Sequence, residues 1–343
     1  MRLIIFGLAV TPHFIINILV SLVPVFLFLS ALVFLDTYKL IKFKSILIAI
    51  VMGCITALVS LLVNTLLLDG LGFEYEFFTR YGAPIVEEMF KVVYVVYLLQ
   101  SRKIGFIVDA AIFGFAIGAG FGFMENIYKL QSLEDQNLVL WIIRGFGTAI
   151  MHCGTTAIFG IVTKSISDRT QSVGARELFP GFAIAVVFHS FYNHFFLSPL
   201  LPTAFLIIIF PIVFYLSEKA TREWLGVGFD SDVSVLEMII TGDLAETNIG
   251  KYLKSLRSSF AGEIVVDMLC LLRLHLELSI RAKGILLMRE NGFSTPPDPE
   301  VKLKFDELRY LEKSIGKTGY LAISPFLRRS SRDLWQFYML EKQ

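Results

Sequence analysis

Charged residues are scarce in this sequence. Asp, Glu, Lys and Arg make up only 18% of the 343 residues, whereas soluble domains usually carry about 25%. The shortage is concentrated in roughly the first two thirds of the chain, where apolar runs long enough to cross a bilayer follow one another. The composition excludes an ordinary soluble protein and predicts a polytopic protein embedded in the lipid bilayer.

Paired cysteines and clustered basic residues are also missing. Cys54, Cys153 and Cys270 fall in two apolar segments and the C-terminal part, so they predict no disulfide framework. The formal net charge of +1 indicates no class of partner. Lys and Arg are dispersed along the chain, so the sequence predicts no nucleic-acid partner. No pattern in the sequence indicates an oligomeric state.

Seven apolar segments predict seven transmembrane helices. Only helices or closed barrels satisfy every backbone polar group in lipid, and segments of this length are helical. The fold class is therefore all-α, a polytopic membrane helical bundle of about seven spans in a domain that covers residues 1–217. The predicted spans are 13–35, 45–68, 80–100, 104–128, 138–163, 177–197 and 199–217.

Basic residues in alternate loops predict the orientation of the bundle. The first, third and fifth loops are richer in Lys and Arg than the loops between them, which is typical of cytoplasmic loops. The N-terminus is then outside, and seven spans place the C-terminal part inside. The basic residues of these three loops are Lys39, Lys42 and Lys44, then Arg102 and Lys103, then Lys164, Arg169 and Arg176.

A change in composition near residue 218 predicts a second domain. Charges become frequent, and the segment "GEIVVDMLCLLRLHLELSIRAKGILLMREN" is amphipathic but interrupted by Glu263, Asp267 and Arg273. It therefore reads as a packed soluble helix and not as an eighth span. We predict that residues 218–343 form a small cytosolic helical domain, and we find no catalytic motif in it.

Three ionisable residues lie close together in the third predicted span. Glu87 and Glu88 are adjacent in "GAPIVEEMFKVVYVVYLLQ", and Lys91 follows one helical turn later. A charge at the centre of a bilayer costs at least about 2.5–3.5 kcal/mol, so these groups should face the bundle interior and have partners. On a helix Lys91 lies about 40° from Glu87 and about 60° from Glu88, on opposite sides. It can neutralise either carboxylate but not fully both.

Three further spans carry polar residues that suit chemistry. The fourth holds Glu125 near its outer end, after Gly114, Gly118 and Gly122, whose spacing predicts close approach of a neighbouring helix. The fifth holds His152 on a polar stripe. The sixth holds His189 and Asn193 at i and i+4, so the amide is expected to fix the tautomer of the ring. The predicted depths allow all these groups to share one pocket in the outer half of the membrane.

The four motifs in this order resemble the PrsW family of intramembrane proteases, which shares a superfamily with the CAAX prenyl endopeptidases. The resemblance covers about residues 1–217 and implies an endopeptidase that cuts membrane-anchored proteins. It also implies a bacterial cytoplasmic (inner) membrane, where such enzymes make the first cut in anti-sigma factors. The motifs are "EEMFK" with Glu87, Glu88 and Lys91, "FGFMENIY" with Glu125, "HCGTTAIFG" with His152, and "HSFYN" with His189 and Asn193.

Two mechanisms fit these residue types. In the first, one glutamate of the pair, Glu87 by preference, is the general base, and His152, His189 and Asn193 stabilise the oxyanion. In the second, Glu125, His152 and His189 bind Zn²⁺, and Glu87 or Glu88 deprotonates a water in the fourth position. The sequence contains no HExxH motif, and it leaves both schemes open.

Two other functions remain as alternatives. A non-catalytic scaffold would bind transmembrane partners without cutting them, but it would need neither of the two adjacent glutamates. A proton-coupled transporter would use Glu and His in a relay, but no internal repeat and no matched broken helices are present. The prediction is therefore an intramembrane endopeptidase, metallo- or glutamic-type, acting on a single-span membrane protein.

Overall fold

The computed structural model describes residues 12–38, 40–132, 145–194, 196, 198, 200–293, 296, 298–327 and 331–341. Within these residues the fold is helices and connecting loops, with no β-strand, which confirms the predicted all-α class. Two compact units are present. The first comprises residues 1–101, 107–167 and 173–215, and the second comprises residues 102–106, 168–172 and 216–343.

Each predicted span overlaps one of seven long helices among the described residues, labelled here in chain order. Their bounds follow the apolar runs, although the predicted start of the fifth span at residue 138 lies outside the described residues. The helices are α1 Pro12–Leu35, α2 Phe43–Leu71, α3 Ala83–Gln100, α4 Ile107–Ser132, α5 Gly147–Thr170, α6 Ala175–Asn193 and α7 Leu200–Thr241.

Four of these helices, α2, α4, α5 and α7, are long and apolar enough to cross a membrane. Helix α3 has three charged residues within 18, and α1 includes the apolar stretch Leu22–Leu35. These features support a multi-pass helical membrane protein. The count of seven spans stays a prediction.

Helix α4 is packed closely on two sides through its glycines. Gly114 and Gly118 lie against the backbone of α5 at Thr156 and His152, so that a Cβ at either position would overlap a carbonyl oxygen there. Gly120 lies equally close to the backbone of α2 at Ile50. The predicted role of the glycine repeat is confirmed: it lets neighbouring helices approach closely.

Replacing Gly118 by Ala should destabilise the bundle. The added methyl group would meet the backbone of His152 and Cys153, and such overpacking typically costs about 1–3 kcal/mol. We expect a lower thermal unfolding temperature in detergent, together with lower activity, because α5 carries His152. The matched control is Gly70→Ala in α2, where nothing lies within 4 Å of an added Cβ. An unchanged Gly118→Ala protein would contradict this packing.

The second unit is helical, as predicted. Its helices are α8 Asn248–Ser255, α9 Gly262–Glu290, α10 Pro299–Ile323 and α11 Ser331–Glu341. Helix α9 covers the segment that was predicted to form a packed helix, and its core positions include Met268, Leu272 and Leu278. The predicted boundary after residue 217 falls inside α7, because this helix continues as far as Thr241.

Candidate active site

A turn of π-helix, Phe78–Gly82, leads directly into α3. Two side chains near the end of α6 hold this turn. The Asn193 amide donates to the carbonyl oxygen of Thr79 at 3.0 Å, and the Ser190 hydroxyl donates to that of Arg80 at 2.7 Å. Turns of π-helix are frequent at functional sites, and this one directly precedes the helix that carries Glu87 and Glu88.

Glu88 and Lys91 form a fully buried ion pair. Both side chains are 0% exposed, and Lys91 Nζ lies 2.5 Å from Glu88 Oε1. The same carboxylate oxygen accepts a hydrogen bond from the Thr155 hydroxyl of α5 at 3.0 Å. When an ammonium and a carboxylate are buried together, their mutual attraction offsets the loss of water around each charge. Lys91 therefore balances Glu88 rather than Glu87.

His189 lies between the two glutamates. Its Nδ1 is 2.7 Å from Glu88 Oε1, and its Nε2 is 3.7 Å from Glu87 Oε2. In a neutral ring, a carboxylate that accepts from Nδ1–H leaves the lone pair on Nε2, and Nε2 is the nitrogen that faces Glu87. The expectation that Asn193 fixes this tautomer needs correction. Glu88 makes that contact, and the amide of Asn193 bonds the backbone of Thr79 instead.

Glu87 is the more accessible glutamate of the pair. Its side chain is 17% exposed, in contrast to the 0% of Glu88. The Asn64 amide of α2 donates to Glu87 Oε1 at 3.1 Å, which leaves Oε2 directed toward His189. Glu87 thus combines a fixed orientation with access to a small molecule such as water.

His152 connects this group to a third glutamate. Its Nδ1 lies 3.1 Å from Lys91 Nζ, and its Nε2 contacts Glu125 of α4. Because an ammonium can only donate, Nδ1 accepts and Nε2–H donates to the carboxylate. Glu125 also forms an ion pair with Lys129 at 2.5 Å. The rings of His152 and His189 are 5.0 Å apart between centroids.

Three of these side chains fit a divalent metal by type and spacing. Glu87, His152 and His189 each offer one ligand atom, and the three atoms lie within 4.8 Å of one another. Two His and one Glu are a known set for catalytic Zn²⁺. A carboxylate on the far nitrogen of a ligating His is typical of such sites, and Glu88 provides one for His189.

The carboxylate in this set differs from the predicted one. The sequence suggested Glu125 with His152 and His189, but Glu125 is occupied by contacts with His152 and Lys129. Glu87 takes its place in the set because α3 brings Glu87 Oε2 to 3.7 Å from His189 Nε2. The difference arises from side-chain pairing, which helical periodicity does not determine.

Six of the seven predicted residues are joined by one chain of contacts. It runs from Glu87 through His189, Glu88, Lys91 and His152 to Glu125. Asn193 lies outside this chain.

Two further polar residues of the group, Asn64 and Thr155, were missed from the sequence. An amide within the apolar run "SLLVNTLLL" was the available signal for Asn64.

Asn64→Leu should slow catalysis without unfolding the protein. It removes the donor that orients Glu87. We expect kcat to fall about tenfold, because losing a hydrogen bond to a charged group costs roughly 1.4 kcal/mol or more and about 1.4 kcal/mol corresponds to a tenfold change in rate. KM and the unfolding temperature should change little. The control is Thr65→Val in the same helix, whose hydroxyl bonds its own helix at Leu61. An equal fall in kcat in both variants would show that Asn64 has no specific role in catalysis.

Comparison with known proteins gives one family. A family described as PrsW family intramembrane metalloprotease matches residues 42–216, a range that contains every residue of the group described above. No curated protein and no solved structure matches the chain.

Proposed function

The chain belongs to the PrsW family of intramembrane metalloproteases, and from this premise we propose that the cluster around Glu87 hydrolyses a peptide bond within membrane-protein substrates. The observation that carries the proposal is the division of labour between the adjacent glutamates. Glu88 is buried in contacts with Lys91 and His189, whereas Glu87 is partly accessible and faces the basic nitrogen of His189. Peptide hydrolysis needs one such group to accept a proton from water.

We assign the roles as follows. Glu87 Oε2 accepts the proton of the attacking water, and Asn64 keeps that carboxylate oriented. His189 is held by Glu88, and its Nε2 is positioned to exchange a proton with Glu87 or the leaving amine. His152 donates from Nε2 to Glu125 in this arrangement, and it would donate to an oxyanion on the substrate carbonyl by exchanging that carboxylate for the substrate. Lys91 balances the charge of Glu88, and Asn193 holds the turn before α3.

The family description implies a metal, and we propose Zn²⁺ held by Glu87, His152 and His189. In this metal scheme Glu87 would be a ligand, and its role as a free base belongs to the metal-free scheme. A bound Zn²⁺ lowers the pKa of its water and polarises a carbonyl. A metal-free glutamic scheme has one observation in its favour: the Lys91 contact places the His152 proton on Nε2, where a ligand would need a lone pair. Metal content separates these two schemes.

Purified wild-type protein should contain about one Zn²⁺ per chain if the metal scheme holds, measured by plasma mass spectrometry. His189→Ala should lose it, because two ligands hold a metal far less tightly than three. The matched control is His194→Ala, since His194 bonds Ser190 and Tyr81 and lies outside the group. Absence of zinc, with cleavage unaffected by a chelator, would reject the metal and favour the glutamic scheme.

We propose a single-span membrane protein as the substrate, with an anti-sigma factor as the first class to assay. The protein would lie in the bacterial cytoplasmic membrane, with its N-terminus outside and residues 218–343 in the cytosol. The support is the distribution of Lys and Arg between loops. A cysteine introduced into the first predicted loop should then be shielded from a membrane-impermeant thiol reagent added outside. Labelling of this cysteine would place the loop outside and contradict the proposed orientation.

Reconstitution tests the activity itself. Purified protein is incorporated into liposomes with a total bacterial membrane-protein extract, and new peptide termini are identified by mass spectrometry. We expect new termini inside transmembrane segments with wild type and none with Glu87→Gln. If wild type creates no new termini, the protease proposal fails and the scaffold is favoured. Proton flux into protein-only liposomes would favour the transporter.

A further inference from the structure

An apolar pocket lies beside the cluster in the first unit. Its volume is about 320 Å³, and it is formed by α5, α6 and α7. Except for Thr155 and Tyr192, the lining side chains are hydrocarbon or thioether, and none is charged. The lining residues are Met151, Thr155, Ile158, Phe188, Phe191, Tyr192, Leu201, Pro202, Phe205 and Leu206.

The pocket shares its walls with the polar cluster. Thr155 belongs to both, since it lines the pocket and its hydroxyl donates to Glu88 at 3.0 Å. Met151 immediately precedes His152, and Phe188 immediately precedes His189. Neighbouring residues on a helix point about 100° apart. The pocket and the cluster therefore occupy adjacent faces of the same two helices.

The mouth of the pocket lies among exposed apolar side chains. Phe188 and Phe191 of α6 are 43% and 42% exposed, and Leu201 and Phe205 of α7 are 59% and 52% exposed. In a membrane protein such surfaces face hydrocarbon. A transmembrane segment arriving from the lipid would meet this mouth before it met the charged groups.

We infer that this pocket binds a large apolar side chain of the substrate, close to the bond that is cut, and so sets cleavage specificity. The inference rests on the proposed protease function and adds the preferred substrate residue: Leu, Ile, Met or Phe. An extended peptide advances about 3.3–3.6 Å per residue, so a side chain one or two residues from the scissile bond reaches the adjacent face. The uncharged lining excludes a charged side chain or a lipid headgroup as the occupant.

Two substitutions should change specificity in opposite directions. Ile158→Trp fills the pocket and should reduce the preference for a large apolar residue over Ala by about tenfold or more, because one methylene in an apolar pocket is worth 10-fold to 200-fold. Phe205→Ala enlarges the pocket and should shift the preference toward Trp. The matched control is Phe179→Ala in α6, which is 69% exposed and does not line the pocket.

The test compares cleavage-site profiles from the liposomes and membrane extract described above. Wild type and Phe179→Ala should show one fixed position enriched in large apolar residues, and the two pocket variants should shift it in opposite directions. New termini without such a position, or a profile unchanged in both variants, would overturn the inference while leaving the protease function intact. Thermal unfolding of each variant confirms that it is folded.

A binding measurement separates failure of the pocket from failure of the protease. A photoreactive benzophenone side chain is placed at position 205 or 179 in Glu87→Gln protein and irradiated with the same extract. Cross-links to transmembrane segments from position 205 and not from 179 support the pocket, even if wild type cuts nothing. Equal cross-linking from both positions, or cross-links to lipid alone, contradict it.

Discussion

Glu87→Gln should lower the rate of peptide hydrolysis by about 10²- to 10⁴-fold, the usual contribution of a general base. The amide cannot accept the proton of water, yet its oxygen can still accept the hydrogen bond from Asn64. Because the side chain is already 17% exposed, the unfolding temperature should stay close to that of wild type.

The control for this substitution makes the same chemical change at the surface. Glu76→Gln removes a carboxylate that is 68% exposed and paired with Arg80, and exposed pairs contribute little to stability. Its cleavage rate and unfolding temperature should match wild type. Retention of more than a tenth of the wild-type rate by Glu87→Gln would exclude Glu87 as the base.

Glu88→Gln should destabilise the protein as well as inactivate it. The Lys91 ammonium would be left fully buried without its carboxylate, and breaking a buried pair in this way typically costs about 3–5 kcal/mol. His189 would also lose the acceptor that fixes its tautomer. Thermal unfolding in detergent and the cleavage rate, measured on the same preparation, should therefore both fall.

A double variant separates the two effects. Glu88→Gln combined with Lys91→Met removes both charges, so much of the lost stability should return. Activity should not return, because His189 would lose its contact with the Glu88 carboxylate and His152 would lose its contact with the Lys91 ammonium. A double variant that recovers cleavage would limit the role of the ion pair to folding.

The outline of the membrane unit could be predicted from the sequence. Apolar runs of spanning length allow only helices in lipid, and α2, α3, α4 and α6 begin and end within four residues of the predicted bounds. Helix α5 ends at Thr170, after the predicted end at residue 163. The end of α7 was not predictable in this way. Loss of apolarity ends a membrane span but not a helix, and the residues after 217 include good helix formers such as Glu, Lys and Ala.

The members of the cluster were predictable, but their pairing was not. Ionisable residues in apolar helices must face the bundle interior, which selects Glu87, Glu88 and His189 at once. The preference of Lys91 for Glu88 depends on Thr155 and on burial, and the angular difference between the two glutamates is too small to reveal it. The bond from Asn193 to a π-helical turn depends on backbone geometry that no side-chain pattern encodes.

Hydrolysis in oxygen-18-labelled water tests the assignment of water activation to Glu87. Wild-type protein and Glu87→Gln are each reconstituted with the membrane extract in labelled water, and the new C-terminal carboxylates are analysed by mass spectrometry. We predict one labelled oxygen in each new carboxylate with wild type and no new carboxylates with Glu87→Gln. Labelled products at equal rates from both proteins would contradict the assignment of water activation to Glu87.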